Sequence, residues 1–232
     1  ETDLKALLAA WFDVGFLELR RMDWRSPAVQ LERLVEYEAV HRIRGWRDLK
    51  NRLESDRRCY AFFHPRMPDE PLIFVEVALV QGMADSVQRL LDQNAPVLDP
   101  AKADTAVFYS INNCQRGLDG ISFGNFLIKR VVGLLAEEFR NIKTYCTLSP
   151  IPGFRRWLDA VLTAEESPLT EEERKTLRGI AILLPETVPT EASEEEILRA
   201  LIARRGVLRV EEAQRALEPI MARLCARYLV RE

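Results

Sequence analysis

A glycine-rich connection between residues 115 and 124 carries the strongest chemical signal in the sequence. It reads Gln115-Arg116-Gly117-Leu118-Asp119-Gly120 and continues to Gly124, which places three glycines within eight residues. Glycine lets a backbone approach a ligand closely, and the first N–H groups of a following helix have no partner within that helix. Such a turn can bind phosphate groups. An ordinary glycine-rich connection between a strand and a helix is the alternative interpretation.

The segments around the connection predict a strand, a turn, a helix and a second strand. Residues 105–111 are apolar and rich in β-formers, as in a buried strand. The turn has neither the GK[ST] ending of a P-loop nor a GxGxxG dinucleotide fingerprint. Apolar residues then recur at helical spacing over 125–139, and residues 143–148 alternate polar and apolar side chains. A helix that crosses between two strands most simply joins parallel neighbours.

Two earlier apolar segments, 58–64 and 72–79, predict antiparallel strands, because the HPRMPDEP stretch between them suits a turn. The four strands predict an α/β fold with a mixed sheet, helix 125–139 on one face and helices at both chain ends. Capping boxes at Thr170 and Ser193 mark two helix starts. The first predicted helix is Asp3–Leu19, interrupted near Gly15. The others are Ala28–Ile43, Trp46–Ser55, a short one at 83–92, Phe154–Leu162, one reaching Leu184, Glu195–Arg204, and Val210–Tyr228, kinked or divided at Pro219.

Ser149 is the second candidate for chemistry. It follows the predicted strand 143–148, and two of the next three residues are prolines that restrict the backbone. Its hydroxyl would be held at the carboxyl edge of a parallel strand pair, where open α/β sheets place ligands. A turn or capping serine is the alternative. His41 and His64 are interpreted as structural.

Longer blocks of the sequence resemble a known family. The glycine turn is similar to the pyrophosphate-binding turn of the GCN5-related N-acetyltransferase fold, which cradles the diphosphate of coenzyme A. From Asp23 to Val161 the sequence resembles the malonyl-CoA decarboxylases, with the order and spacing of the blocks kept. The Leu-Ser-Pro-Ile-Pro-Gly-Phe block at 148–154 is the most specific. The other blocks lie at 64–65, 69–79, 108–111 and 124–129.

The resemblance implies a mixed sheet of acetyltransferase type and a malonyl-CoA site. It implies that Ser149 is a catalytic residue that contacts the malonyl carboxylate and takes part in proton transfer. The substrate-binding residues that it implies are Asp119, Gly120, Ile121, Ser122, Phe123, Gly124 and Asn125. The family's second catalytic residue is a histidine in a Phe-His-Leu-x-Asn-Gly-Ala type block, which no residue here matches. We therefore expect these 232 residues alone to bind malonyl-CoA, weakly or normally, yet to release little CO₂.

The implied reaction is decarboxylation of malonyl-CoA to acetyl-CoA and CO₂ through an enolate. Loss of CO₂ leaves negative charge on the thioester oxygen, so a site must desolvate the carboxylate, stabilise the enolate and deliver a proton to C2. No cofactor is expected, since coenzyme A is part of the substrate. An acyl-CoA N-acetyltransferase and a non-catalytic CoA-binding module are the alternatives, because both could use the same turn.

Composition limits the partners. The net charge is −3, so any basic patch must be local, and neither nucleic acid nor a membrane surface is an expected partner. No apolar run reaches the roughly 18 residues of a bilayer span. Four cysteines without CxxC spacing suit a reducing compartment, and with two histidines a zinc site is hard to assemble. We expect a cytoplasmic location in a bacterium, and a mitochondrial, peroxisomal or cytoplasmic one in a eukaryote.

The predicted domains are 1–55, the end of an N-terminal helical domain, and 56–232, an acetyltransferase-like catalytic domain with a helical C-terminal part. The first helix carries more apolar surface than a short appendage can cover by itself. The family resemblance also implies an oligomer, so a homo-oligomer is expected. The apolar residues of that helix are Leu4, Leu7, Leu8, Trp11, Phe12 and Phe16.

Overall fold

The computed structural model describes residues 7, 12, 14–118, 123–164, 166–183, 192–203 and 210–231. One five-stranded sheet has the order β1-β2-β3-β4-β5, in which β4 and β5 are parallel and all other neighbours are antiparallel. The predicted mixed α/β sheet is therefore confirmed. The strands are β1 Glu18–Met22, β2 Arg57–His64, β3 Met67–Val80, β4 Thr105–Asn113 and β5 Thr144–Thr147.

Helices precede, interrupt and follow the sheet strands in the chain. None in the described ranges combines the length and apolar composition that a bilayer crossing requires. Short 3-10 turns lie at Val14–Phe16, Pro100–Lys102 and Arg116–Leu118. The α-helices are α1 Ala28–Tyr37, α2 Trp46–Arg52, α3 Val87–Leu90, α4 Phe123–Glu138, α5 Phe154–Val161, α6 Glu171–Leu183, α7 Glu194–Ala203 and α8 Glu211–Arg231.

The sheet is covered on both faces, because successive side chains of a strand point to opposite sides. On β2, Tyr60 and Phe62 pack into one core with the apolar stripe of α4. Cys59, Ala61 and Phe63 point the other way, into a second core with α1 and α2. A third core, which includes Ala78 of β3 and Val107 of β4, packs against the segment around α3. Burial on both faces explains why the central strands read as continuous apolar runs.

The structure corrects the predicted N-terminal helix Asp3–Leu19. Leu7 is helical, but the chain forms a 3-10 turn at Val14–Phe16 and then enters strand β1. β1 pairs antiparallel with β2, from Glu18 opposite Phe63 to Met22 opposite Cys59. The strand is an edge strand in which three of five residues are charged, so its sequence lacks the apolar alternation that identifies a strand.

Other element boundaries differ by a few residues. Helix α1 ends at Tyr37 instead of Ile43, because the carboxylate of Glu38 turns inward and accepts hydrogen bonds from Ser110 and Asn112 of β4. β3 begins at Met67, which pairs with His64, so the β2–β3 turn is shorter than the predicted HPRMPDEP stretch.

The chain forms two compact units, Glu1–Ser149 and Pro150–Glu232. The second unit is helical in its described part and has its own apolar core, built around Leu158, Leu177, Leu198 and Leu217. The domain division predicted between residues 55 and 56 stays a prediction.

The helix starts of the second unit follow the predicted capping chemistry. The backbone N–H of Thr170 donates to the Glu173 carboxylate at 2.8 Å, and the Glu173 N–H donates to the Thr170 hydroxyl at 3.3 Å. Ser193 and Glu196 form the same reciprocal pair. These are capping boxes, in which two unpaired helix donors are satisfied together. Helix α8 runs through Pro219 without being divided.

Candidate functional site

The parallel pair β4 and β5 sets the geometry of the candidate site. The two strands pair in register from Thr105 opposite Thr144 to Phe108 opposite Thr147. The Leu148 N–H still donates to the Phe108 carbonyl at 2.9 Å, which extends the pairing by one residue. β4 continues to Asn113, whereas the chain after Leu148 leaves the sheet. Ser149 is therefore the first residue beyond the point where the two strands separate, and its side chain is exposed.

The glycine turn leads from β4 into α4 at the same edge of the sheet. The Cys114 N–H donates to the Leu72 carbonyl at 2.9 Å, and the Gln115 side-chain amide donates to the Pro71 carbonyl at 3.3 Å. Both bonds attach the start of the turn to β3. Four of the predicted substrate-binding residues, Asp119, Gly120, Ile121 and Ser122, lie outside the described residues.

The other three predicted residues, Phe123, Gly124 and Asn125, form the first turn of α4. Helix α4 thus begins two residues before the predicted 125. Phe123 is 2% exposed and its side chain belongs to the core, so this side chain is not available to a ligand. Gly124 is half-buried and Asn125 is exposed. The first turn of α4 contains no acidic residue. The positive end of the helix dipole is therefore not neutralised, which favours an anion at this helix N-terminus.

The turn that follows Ser149 is fixed within the second unit. Gly153 has φ +79 and precedes α5. The Tyr228 hydroxyl of α8 donates to the Pro152 carbonyl at 2.8 Å. The Tyr228 ring packs against Phe154 and Trp157 at centroid distances of 5.8 and 5.4 Å. The backbone just after Ser149 is thus restrained by prolines, by one hydrogen bond and by an aromatic cluster.

This arrangement predicts that Gly153→Ala destabilises the second unit. A Cβ at residue 153 would lie 2.6 Å from the Tyr228 hydroxyl oxygen, and the left-handed backbone costs an L-residue about 1–2 kcal/mol. We expect thermal unfolding of this unit at a lower temperature. Gly179→Ala, in helix α6 with nothing within 4 Å of the new Cβ, is the matched control and should gain up to about 1 kcal/mol. Equal melting temperatures for the two variants would contradict this interpretation.

A buried polar network, which was not predicted from the sequence, lies on the sheet face opposite α4. The Arg52 guanidinium donates to Asp48 and to Glu76, at 3.0 Å each. The pKa of the Glu76 carboxyl is raised from 4.5 to about 7, because burial and, to a smaller extent, the nearby Glu38 raise it by more than Arg52 lowers it. A second cluster joins Glu38 to Ser110 and Asn112. The available signal was Glu76 itself, a single charge inside the apolar run of β3.

Strand β4 carries a bulge beside this network. Glu76 pairs with Ser110 and Val77 pairs with Phe108, so Tyr109 has no cross-strand partner in the register. The imidazole Nε2 of His41 lies 3.1 Å from the Tyr109 carbonyl, and it must carry a hydrogen to donate to that oxygen. Bulges are frequent next to active sites because they redirect side chains and end regular pairing. The His41 ring is thus bonded to the backbone of β4.

The remaining candidate ligands do not assemble a metal site. His64 accepts a hydrogen bond from the Arg66 N–H through Nδ1 at 3.1 Å, within the β2–β3 turn. Across the part of the chain that the structure describes, no three side chains of His, Cys, Asp or Glu are arranged to hold a metal ion. The four cysteines lie in this part and are free thiols.

The comparisons with known proteins agree along nearly the whole chain. Residues 15–232 match the family described as "Malonyl-CoA decarboxylase C-terminal domain". The chain is 40% identical over 237 residues to the mitochondrial malonyl-CoA decarboxylase of Anser anser anser, covering 99% of this chain and 45% of the relative. The mitochondrial malonyl-CoA decarboxylase of Rattus norvegicus is 37% identical over 234 residues, covering 99% of this chain and 46% of the relative.

Solved structures give the same result. The malonyl-CoA decarboxylase of Agrobacterium vitis superposes with a TM-score of 0.78 and 43% identity, covering 98% of this chain and 51% of that one. The malonyl-CoA decarboxylase of Rhodopseudomonas palustris superposes with a TM-score of 0.78 and 42% sequence identity. The match covers 100% of this chain and 48% of that one. The chain thus spans about half the length of the relatives that it matches. It belongs to the malonyl-CoA decarboxylase family.

Proposed function

We propose that the protein containing this chain decarboxylates malonyl-CoA to acetyl-CoA and CO₂. The observation that carries the proposal is the position of Ser149, exposed at the carboxyl edge where β4 and β5 separate. This edge is where α/β sheets place their ligands, and the N-terminus of α4, whose helix dipole favours an anion, lies at the same edge. Family membership supplies the substrate class, since the relatives are named malonyl-CoA decarboxylases.

In the proposed reaction, different residues at this edge of the sheet bind the CoA part and act on the malonyl part of the substrate. The bond between C2 and the malonyl carboxylate breaks, its electron pair moves through C2 to the thioester oxygen, and CO₂ leaves. The Ser149 hydroxyl polarises the malonyl head and stabilises the developing charge. The turn from Gly117 to Asn125 holds the diphosphate and pantetheine. A proton must then reach C2, and the family's histidine block, which would supply it, has no counterpart in this sequence.

The decisive experiment measures CO₂ and acetyl-CoA released from malonyl-CoA by the full-length protein, with and without an amine acceptor. Decarboxylation requires no acceptor. Release of free CoA only when an amine is present would indicate an acyl-CoA N-acetyltransferase. Binding of malonyl-CoA without either product would indicate a non-catalytic CoA-binding module.

The substrate-binding residues 119–125 make a separate prediction about affinity. Gly120→Val places a β-branched side chain in the turn, and we expect it to weaken acetyl-CoA binding about tenfold or more, because one lost charge-assisted hydrogen bond costs roughly 1.5–3 kcal/mol. Titration calorimetry measures this. Gly133→Ala, on helix α4 with nothing within 4 Å of the new Cβ, should leave the affinity unchanged. Unchanged affinity in a folded Gly120→Val protein would exclude the turn as the diphosphate site.

Other expectations stay predictions. We propose a homo-oligomer, which light scattering of the full-length protein over a range of concentrations checks. The reaction needs no cofactor beyond the CoA of its substrate, and neither nucleic acid nor membrane is a proposed partner. The goose and rat relatives are named mitochondrial. For this protein we propose the cytoplasm of a bacterium, or mitochondria, peroxisomes or cytoplasm of a eukaryote, which fractionation of the source cells decides.

A further inference from the structure

A cavity of about 850 Å³ lies within the first unit, between residues 41–52 and residues 87–94. It is separate in sequence from the glycine turn, and helix α2, which contributes to its wall, packs on the sheet face opposite α4. Five of its lining residues are arginines: Arg42, Arg44, Arg47, Arg52 and Arg89. We call this cavity the arginine pocket.

Three of these arginines keep uncompensated charge. Arg52 is paired with Asp48 and Glu76, and Arg89 is paired with Asp85. By contrast, the side chains of Arg42 and Arg44 have no hydrogen bond or ion pair to any residue that the structure describes. The Arg47 guanidinium donates only to the neutral amide oxygen of Asn94, at 3.2 Å.

The lining offers little negative charge to balance these three guanidinium groups. Its two carboxylates are Asp48 and Asp92. Asp48 is already bound by Arg52, and it also accepts a hydrogen bond from the Arg44 backbone N–H at 3.0 Å. Asp92 accepts one from the Asn94 backbone N–H at 2.9 Å. The pocket is therefore locally cationic in a chain whose net charge is −3.

The backbone that carries Arg42 and Arg44 is held in place from several sides. The N–H groups of Val40 and His41 donate to the Glu38 carboxylate at 2.9 and 2.6 Å. The Arg52 guanidinium donates to the His41 carbonyl at 2.7 Å, and the His41 ring is bonded to the bulge at Tyr109. A binding site pre-organised in this way loses less conformational entropy when a ligand is bound.

The chemistry of the lining defines the ligand. Guanidinium groups bind carboxylates and phosphates through two parallel hydrogen bonds, and three of them suit more than one anionic group. Side-chain amides of Gln88, Gln93 and Asn94 add neutral donors and acceptors, while Val87 and Leu91 supply the aliphatic part of the lining. The volume lies within the range of small-molecule sites, roughly 300–1,000 Å³.

We propose that the arginine pocket binds a small molecule that carries two or more phosphate or carboxylate groups. The proposal does not rest on decarboxylase activity. Phosphate and carboxylate ligands share the recognition chemistry, so inorganic pyrophosphate and citrate serve as separate probes. Acetate, with one charge, serves as the comparison.

The test is titration calorimetry on the full-length protein at low ionic strength, where screening of surface charge is weak. We expect pyrophosphate or citrate to bind, and acetate to bind at least about tenfold more weakly, since each charge-assisted hydrogen bond lost costs about 1.5–3 kcal/mol. The triple variant Arg42→Gln/Arg44→Gln/Arg47→Gln should lose at least about a hundredfold in affinity for the probe that binds.

The control is Arg25→Gln, which removes an arginine outside the pocket whose side chain is 91% exposed. It should bind the probe like the unchanged protein. Circular dichroism checks that the triple variant is folded, as expected for three exposed side chains. The proposal is overturned if neither probe binds, if acetate binds as tightly as the polyanions, or if the folded triple variant keeps its affinity. Binding of pyrophosphate alone assigns a phosphate ligand, and binding of citrate alone assigns a carboxylate ligand.

Discussion

Replacing Ser149 with alanine in the full-length protein is expected to lower the turnover of malonyl-CoA by about 10²–10³-fold. The substrate should still bind, because in the proposed mechanism the turn and the start of α4 hold the CoA while the hydroxyl acts on the malonyl head. An interaction made mainly in the transition state lowers kcat when it is lost, and changes KM little. Steady-state kinetics with direct detection of CO₂ separates the two parameters.

A matched substitution distinguishes chemistry from structure. Ser193→Ala also removes an exposed serine hydroxyl at a turn that precedes a helix, and it breaks the capping box at α7. It should lower stability by about 1 kcal/mol and leave turnover unchanged. Normal turnover in the Ser149→Ala protein would remove the residue on which the proposed mechanism depends, and a large rise in KM with unchanged kcat would make Ser149 a binding residue only.

The arrangement around the site could be predicted where local sequence determines structure. The sequence pattern changes from a continuous apolar run to helical spacing and then to alternation. This pattern predicted β4, α4 and β5 close to their observed bounds. The starts of α6 and α7 could also be predicted, because the two residues of each capping box lie within four positions of one another in the sequence. The position of Ser149 follows from these elements, whereas its proposed role comes from the family resemblance.

Features that depend on contacts distant in the sequence could not be predicted. β1 is a strand because β2 pairs with it, not because its own five residues favour one. Helix α1 ends early because Glu38 bonds residues of β4 more than seventy positions away. Arg42, Arg44 and Arg47 lie within six residues of one another, but their spacing alone does not predict a shared cavity. Their convergence on one cavity appears only after residues 87–94 are folded against them.

The buried network around Arg52 leads to the second large prediction. Arg52→Met should destabilise the first unit, Glu1–Ser149, by about 3–5 kcal/mol at pH 8. The Arg52 side chain is 2% exposed and holds three acceptors, the carboxylates of Asp48 and Glu76 and the His41 carbonyl. Removal leaves two buried carboxylates without their cation, and desolvation of an unpaired buried charge is the dominant cost. Hydrogen exchange of α2 and β3 amides, corrected for intrinsic rates at each pH, reports the local free energy of opening.

The pH dependence of the stability lost in Arg52→Met tests whether Glu76 is the main cause of that loss. Because the folded pKa of Glu76, about 7, lies above its ordinary value of 4.5, the folded state holds an extra proton between these values. Glu76 therefore makes the folded state less stable as pH rises through this window. Without Arg52 its pKa rises further, so the cost of Arg52→Met should be smaller at pH 5.5 than at pH 8. The double variant Arg52→Met/Glu76→Gln should recover part of the stability at pH 8 and flatten the dependence. An equal loss at both pH values, or no recovery in the double variant, would show that Glu76 is not the group left uncompensated.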